Sequence, residues 1–376
     1  MTKLEEAQKV MDKLNRKRKA AYPNDPRPAV FIAGQRRDLL DKMIIPSNNE
    51  TINRLLHGGF KKGLLHLFYG NPNCGKSSAA YELIASAQQR GLQCLLIHTE
   101  SVFPAAQAEE LGVNMDELIL VQGLTSGEEC MNIVFDLLYD KEKGCPRDAV
   151  DLVVIDSVAA LVPEYSAKKQ DKDGFEAEEM GTHAKMVTRI VNRLFGTGAS
   201  TNAAVVAINQ VRDNVSSYGG GTTQGGGHAL KHMAKVIMKF TAPAAGKILD
   251  GKKRIGHMVH VLVEKNSAGL GGHPGEEAEY AVIYHEGSDN LQPMIDAALN
   301  DELIVETSSS RYVILPTHPE LMQSFNVWGD DSPLKIHGMA NLKTIVKESE
   351  IIKILYEVYH EGKPLEEVLA AYESEI

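Results

Sequence analysis

The sequence predicts an α/β fold: a mostly parallel central sheet, covered by helices on both faces, with a phosphate-binding loop at its edge. The first observation is a series of near-continuous apolar strands, "LLHLFYG", "CLLIHTE", "VDLVVIDS" and "AAVVAINQ", separated by helical stretches. Strands that are apolar on both faces belong to sheets covered on both sides, and helical crossovers supply that cover. The second is "GNPNCGKS" (Gly70–Ser77), which fits GxxxxGK[ST] in full and stands between a strand and a helix. The third is the composition. The 376 residues are 43% hydrophobic and 24% charged, an ordinary globular balance.

Taken in order, residues 1–20 read as a helix, with Leu4, Ala7, Val10, Met11 and Leu14 at helical spacing. "YPNDPRP" breaks the chain, and "AVFIAG" is a short strand candidate. From about Ile44 strands and helices alternate. "SSAAYELIASAQQRG" is a helix closed by glycine, and "EECMNIVFDLLYD" a helix with Ile133, Val134, Leu137 and Leu138 on one face. "MGTHAKMVTRIVNRLF" is the next helix. "KVIMKF", "MVHVLVEKN" and "EYAVIYHEG" are strands with few helices between them, a partly antiparallel extension of the sheet. Beyond about Gly287, "NLQPMIDAALNDELI" and "LKTIVKESEIIKILYEVYHEG" read as helices around a short irregular or β segment. The charge-dense "AKKQDKDGFEAEE" (Ala167–Glu179) is expected to be exposed. "DNVSSYGGGTTQGGGHALKHM" (Asp213–Met233) follows a strand and reads as a glycine-rich loop.

Composition also limits function. No apolar run reaches the roughly 18 residues needed to span a bilayer, and the charged N-terminus has no apolar signal core. The reading is a soluble intracellular protein. Cys74, Cys94, Cys130 and Cys145 form no CxxC pair, so neither a zinc site nor a redox motif is indicated. A net charge of −10 disfavours general attraction to nucleic acid but leaves room for a restricted basic channel.

The chemistry gathers at strand ends. In Gly70, Asn71, Pro72, Asn73, Cys74, Gly75, Lys76 and Ser77, with Ser78 following, backbone N–H groups and the helix N-terminus face phosphate oxygens. Lys76 adds positive charge at the β/γ oxygens, and Ser77 offers a hydroxyl to Mg²⁺. Asp156, ending "LVVID", is the second metal-associated group. Glu100, ending "LIHTE", is placed to orient or deprotonate water. Gln210, ending "AINQ", could sense a γ-phosphate through its amide. Each residue alone could be a strand-end cap. Together, Lys76, Glu100, Asp156 and Gln210 converge on one edge of one sheet.

The order "GNPNCGKS", "LLIHTE", "LGVNMDELIL", "VDLVVIDSVAALVPE", "MGTHAKM", "AVVAINQVR", "GGGHALKH" and "VEKN" closely resembles the RecA family of recombinases over about residues 45–290. It resembles bacterial or phage-encoded members more than the eukaryotic branch. The resemblance implies a RecA-type P-loop NTPase core at 45–287, an N-terminal helix/strand oligomerisation arm at 1–44 and a small C-terminal α/β domain at 288–376. It implies a DNA-dependent ATPase, with ATP and Mg²⁺, that polymerises as a helical filament on single-stranded DNA and exchanges strands with a homologous duplex. Single-strand-binding and mediator proteins are the implied accessory partners, and the implied setting is a bacterial cytoplasm or a phage-infected cell.

Residue by residue, the resemblance makes Glu100 the base for water, with Lys76 and Gln210 as catalytic partners. Gln210 is the switch that reports γ-phosphate to the adjacent loop. Lys231 and Lys265 resemble lysines that reach a neighbouring subunit's ATP. Two DNA-binding loops are implied, at about 164–181 and 212–232. Their DNA-binding candidates are Lys185, Thr188, Arg189, Arg212, Gly225, Gly226 and Gly227. For Lys185 and Arg189 the plain alternative is a solvated helix face. Glycine backbone approaches phosphates closely, and contacts of that kind carry no sequence information. The chain departs from the family at Pro104, where an Asp near the adenine is usual, and at Ser267, where many members have a second lysine. It departs again at His232, where an aromatic is common, and it has no long acidic tail. A ring-shaped RecA-fold helicase motor, a mediator without exchange activity and a small-molecule kinase are the other function classes that begin from a P-loop or this fold.

Overall fold

The computed structural model describes residues 3–21, 30, 32, 43–100, 102–123, 126–140, 142, 145–147, 149–164, 181–195, 201–213, 222–224, 227–269, 272–308, 310–315, 318, 321, 323, 335–359 and 363–374. The chain divides into two compact units, one of Met1–Ser47 with Asn53–Gly287 and one of Asn48–Ile52 with Ser288–Ile376.

The first unit opens with α1 (Lys3–Ala21), whose Leu4, Val10 and Leu14 are exposed. The expected strand "AVFIAG" lies outside the described residues except for Val30 and Ile32. The Asn15 side chain brackets Val30, donating to its carbonyl at 2.6 Å and accepting from its amide at 3.1 Å.

Along the core run β1 (Leu65–Gly70), α2 (Lys76–Gln89), β2 (Cys94–His98), α3 (Ala105–Glu110), β3 (Ile119–Val121), α4 (Gly127–Leu138), β4 (Leu152–Asp156) and α5 (Thr182–Phe195). After them come β5 (Ala204–Asp213), β6 (Thr222–Gln224), α6 (Gly227–Met233), β7 (Val236–Thr241), β8 (Lys247–Asp250), β9 (Lys253–Asn266) and β10 (Glu277–Ile283). The spatial order is β10-β9-β7-β1-β5-β4-β2-β3. From β7 to β3 every neighbouring pair is parallel. β9 is antiparallel to β7, β8 and β10, so the antiparallel extension begins one strand later than "KVIMKF". The β8–β9 hairpin turns through Gly251–Lys252, and β8 is only four residues long and mostly exposed.

Every residue of β1, β2 and β4 is buried, which explains their unbroken apolar runs. On one face, Leu65, Leu67 and Tyr69 join a core built with α4, α5 and α6. Strand alternation turns Phe68 to the other face, where its ring meets Phe240 at 4.9 Å and Phe60 at 5.7 Å. α2 is buried along Ala79–Gln88, so small alanines replace an amphipathic pattern there.

α4 buries Cys130, Met131, Val134, Phe135 and Leu138, while Ile133 is exposed. Of the expected face only Ile133 departs, because Val134 and Leu138 are buried and Leu137 is partly buried against the core. The helix seats against α5, and Phe135 takes the Arg193 guanidinium 4.0 Å from its ring centre. The Ser126 side chain caps α4, accepting from the Glu129 amide at 3.1 Å.

The glycine-rich stretch is not loop throughout. β5 runs on to Asp213, and β6 folds back on it, with Thr223 opposite Arg212. The second glycine triplet ends in α6, so Gly227 to His232 are helical. Leu230 explains the helix, because it is buried against the main core. Residues 214–221, 225 and 226 lie outside the described residues, as do 165–180, which hold the charge-dense segment.

The second unit contains α7 (Leu291–Asn300), β11 (Ile304–Ser308), β12 (Arg311–Ile314), β13 (Ile336–His337), α8 (Met339–Glu348), α9 (Ile351–Tyr359) and α10 (Leu365–Glu373). A three-stranded antiparallel sheet packs with the helices around Ile295, Ile314, Leu342, Ile354 and Leu369. "LKTIVKESEIIKILYEVYHEG" is two helices, parted at Ser349, whose backbone is extended.

Candidate functional site

The strand register brings the singled-out residues to one edge. Gly70 pairs with Gln210, Asp156 with Ile208, and His98 with Asp156. Gly70, Asp156 and His98 are the last residues of β1, β4 and β2, and Glu100 follows two residues beyond β2. A cavity of about 910 Å³ opens there, and Lys76, Ser77, Glu100, Asp156 and Gln210 all line it.

The loop from Gly70 to Gly75 has a backbone that few residues tolerate. Gly75 has φ +87 as it opens α2, and an added Cβ would lie 2.9 Å from Val259. At Gly70 a Cβ would lie 2.1 Å from the Phe240 carbonyl oxygen. Asn73 also sits at positive φ, a conformation in which asparagine is enriched. Lys76 is only 6% exposed. Its ammonium donates to the Asn71 carbonyl at 2.6 Å, the Gly70 carbonyl at 3.1 Å and the Cys74 sulfur at 3.4 Å. Burial pushes the Cys74 thiol up, against the pull of Lys76.

Asp156 is buried, and burial pushes its carboxyl up. A Ser77 hydrogen bond, His98 and the Lys76 charge oppose that rise, while Glu100 adds to it. Tyr81, on α2, is also pushed up, first by burial and then by Asp156 and Glu100. Thr99 fixes the two strand ends to each other. Its amide donates to the Asp156 carbonyl at 2.9 Å, and its hydroxyl exchanges hydrogen bonds with the Ser157 backbone. Glu100 is exposed and Gln210 half-buried, so both reach the solvent side of the cavity.

The donor set fits a nucleotide triphosphate with Mg²⁺. Glycines keep side chains out of the cradle, a buried ammonium is satisfied only by loop groups, and a hydroxyl–carboxylate pair stands beside it. Among the described residues no cluster of three or more His, Cys, Asp or Glu could hold a metal alone. Mg²⁺ sites use one or two carboxylates plus phosphate oxygens and water, and Asp156 with Ser77 supplies such a pair at the cavity.

Sequence reasoning missed the other end of the cavity. Tyr284 stands there, 38% exposed, with the Arg254 guanidinium 5.8 Å from its ring centre and the His257 ring also at 5.8 Å. Across the mouth, His285 and Glu110 meet at 2.8 Å. Pro104 lines the same region and precedes α3. Arg254, His257 and Tyr284 form no motif, and they come together through the pairing of β9 with β10, whereas Pro104 and Glu110 stand at the two ends of α3.

Lys231 and Lys265 do not line this cavity. Lys265 donates to the carbonyls of Lys231 at 3.3 Å and His232 at 3.1 Å, and the Lys231 ammonium lies 5.6 Å from the Tyr69 ring centre. Burial, and the charge of Lys235, push the Lys265 ammonium down. Lys185 and Arg189 are exposed on α5, and the Thr188 hydroxyl donates to the Ala184 carbonyl at 2.7 Å. Arg212 is a β5 residue paired with β6, and Gly227 begins α6. Gly225 and Gly226 lie outside the described residues.

The family model of the RecA N-terminal domain matches residues 27–289. The chain is 31% identical over 308 residues to Protein RecA of Colwellia psychrerythraea, covering 78% of this chain and 84% of the relative. It is 30% identical over 271 residues to Protein RecA of Porphyromonas gingivalis, covering 72% and 75%. With Protein RecA of Aquifex pyrophilus it shares 33% identity over 254 residues, covering 67% and 68%. No described helix is long and apolar enough to cross a membrane.

Proposed function

The chain belongs to the RecA family of ATP- and DNA-binding proteins of recombination and repair, and from that premise we propose that it is a DNA-dependent ATPase that forms helical filaments on single-stranded DNA. In that role it pairs the bound strand with a homologous duplex and exchanges strands, in a bacterial cytoplasm or a phage-infected cell. The observation that carries this reading is the single cavity shared by Lys76, Glu100, Asp156 and Gln210, with β5 leading from Gln210 into the glycine-rich segment.

The roles we assign draw on the family resemblance together with the geometry. Lys76 exchanges its bonds to the Gly70 and Asn71 carbonyls for bonds to phosphate oxygens, a charge-assisted gain. The loop amides and the α2 N-terminus hold the same phosphates. Ser77 and Asp156 hold Mg²⁺, which neutralises phosphate charge when bound. Glu100 takes a proton from the attacking water. Tyr284 offers its exposed face to the base. Gln210 senses the γ-phosphate end of the cavity and passes its state along β5 to β6. Lys185, Thr188 and Arg189 on α5, together with Arg212 and Gly225–Gly227, contact DNA. Lys231 and Lys265 serve a neighbouring subunit's nucleotide, and α1 docks on that neighbour.

The test is ATP hydrolysis with and without single-stranded DNA, run beside a homologous strand-pairing assay. DNA-stimulated hydrolysis with strand pairing is expected. Hydrolysis without any pairing, with DNA bound, would remove the recombinase reading.

A further inference from the structure

One small cluster joins the phosphate loop to Lys231 and Lys265. β9 carries a bulge opposite β7: Lys265 pairs with Ile237 and Val263 with Met238, so Glu264 is the extra residue. A bulge re-aims a side chain that regular alternation would point elsewhere. Glu264 reaches past β7 to β1, where its carboxylate accepts a hydrogen bond from the Tyr69 hydroxyl. Tyr69 is 6% exposed and immediately precedes Gly70. The same tyrosine ring lies under the Lys231 ammonium, 5.6 Å from its centre. Beside Glu264, Lys265 holds the carbonyls of Lys231 and His232 at the end of α6.

Tyr69 thus meets the phosphate loop through the peptide bond, Glu264 through a hydrogen bond and Lys231 through its ring. A carboxylate acceptor makes the hydroxyl contact charge-assisted, the stronger class of hydrogen bond. Any displacement of Gly70 moves the hydroxyl that Glu264 holds. Glu264 lies next to Lys265 in the chain, so the displacement is carried to both lysines.

We propose that Glu264 is a positioning residue that, through Tyr69, couples the phosphate loop of one subunit to the Lys231–Lys265 pair serving the next subunit's nucleotide. This rests on the filament reading above.

The experiment is steady-state ATP hydrolysis by the full chain on single-stranded DNA, with rate measured against ATP concentration. Wild type is expected to be cooperative. Glu264→Leu and Tyr69→Phe each lower the Hill coefficient to about 1. Glu264→Gln keeps an acceptor oxygen and retains the wild-type coefficient. The Leu/Phe double variant falls no further than either single, as expected for two ends of one contact. Tyr69→Phe removes one hydroxyl, so it reports even if Glu264→Leu fails to fold. A wild type that hydrolyses ATP without cooperativity overturns the coupling, as do folded Leu or Phe variants that remain cooperative, or a Gln variant that behaves like Leu. A wild type with no DNA-dependent hydrolysis overturns the functional reading itself.

Discussion

The Thr99 hydroxyl donates to the Ser157 carbonyl at 2.9 Å and accepts from the Ser157 amide at 2.8 Å. This two-way bond joins the ends of β2 and β4, one residue from Glu100 and one from Asp156. It fixes the separation of the proposed base and the proposed metal-associated carboxylate. Thr99→Val leaves the buried Ser157 amide without its partner, which costs about 1–3 kcal/mol. It also loosens the carboxylate spacing, and small misplacements near reacting atoms lower rates by about tenfold to a hundredfold. Thermal unfolding and kcat are the two readouts, and both are expected to fall.

Lys76→Ala removes the proposed charged partner of the phosphates. Hydrogen bonds from charged groups contribute about 1.5–3 kcal/mol, so ATP affinity is expected to fall about 10- to 100-fold. Equilibrium binding of a fluorescent ATP analogue measures this directly. Unchanged affinity would contradict the assignment of the loop.

Gly75→Ala tests the backbone of the cradle. With φ +87 and a new Cβ 2.9 Å from Val259, the alanine is both strained and crowded. The left-handed conformation alone costs about 1–2 kcal/mol. A lower Tm and weaker ATP binding are expected together, because the strain sits in the loop proposed to hold the phosphates.

His66 gives the fold a pH dependence. It is fully buried, its Nε2 donates to the Lys61 carbonyl at 3.1 Å, and burial holds it down to about 4, from 6.5. Between those values the unfolded chain binds the proton and the folded chain does not. Stability therefore falls as pH drops from 6.5 towards 4, by about 3 kcal/mol across that window. His66→Gln keeps a donor for Lys61 and removes the titration. Denaturant midpoints measured across this range are expected to fall for wild type and to fall less for the variant.

Much of the site was legible because its chemistry is local in sequence. "GNPNCGKS" puts glycines, an ammonium and a hydroxyl on one strand-to-helix turn, and Glu100, Asp156 and Gln210 each stand at or just past the end of an apolar stretch. A parallel sheet then brings such ends together. Tyr284, His257 and Arg254 were not legible, because only the pairing of β9 with β10 places them beside the loop. Neither was the contact of Glu264 with Tyr69, since "VEKN" reads as regular alternation and the bulge exists only in the register with β7. The exposure of Ile133 on α4 has a similar origin. Ile133 and Phe135 are both apolar, and the neighbouring α5 decides which is covered. The glycine triplet at α6 misled because glycine signals a loop, whereas the buried Leu230 anchors a helix.

Gln210→Ala separates nucleotide binding from DNA response. Gln210 lines the cavity and continues into the β5–β6 pair, while Lys76 and the loop amides are untouched by the change. ATP affinity is expected to fall by no more than about tenfold, since a single neutral hydrogen bond contributes only about 0.5–1.5 kcal/mol. The stimulation of hydrolysis by single-stranded DNA is expected to disappear.

Electron microscopy of the full chain with single-stranded DNA and a slowly hydrolysed ATP analogue bears most directly on the filament. Continuous helical filaments along the DNA are the predicted result. Closed rings, or bare DNA beside dispersed protein, would contradict it.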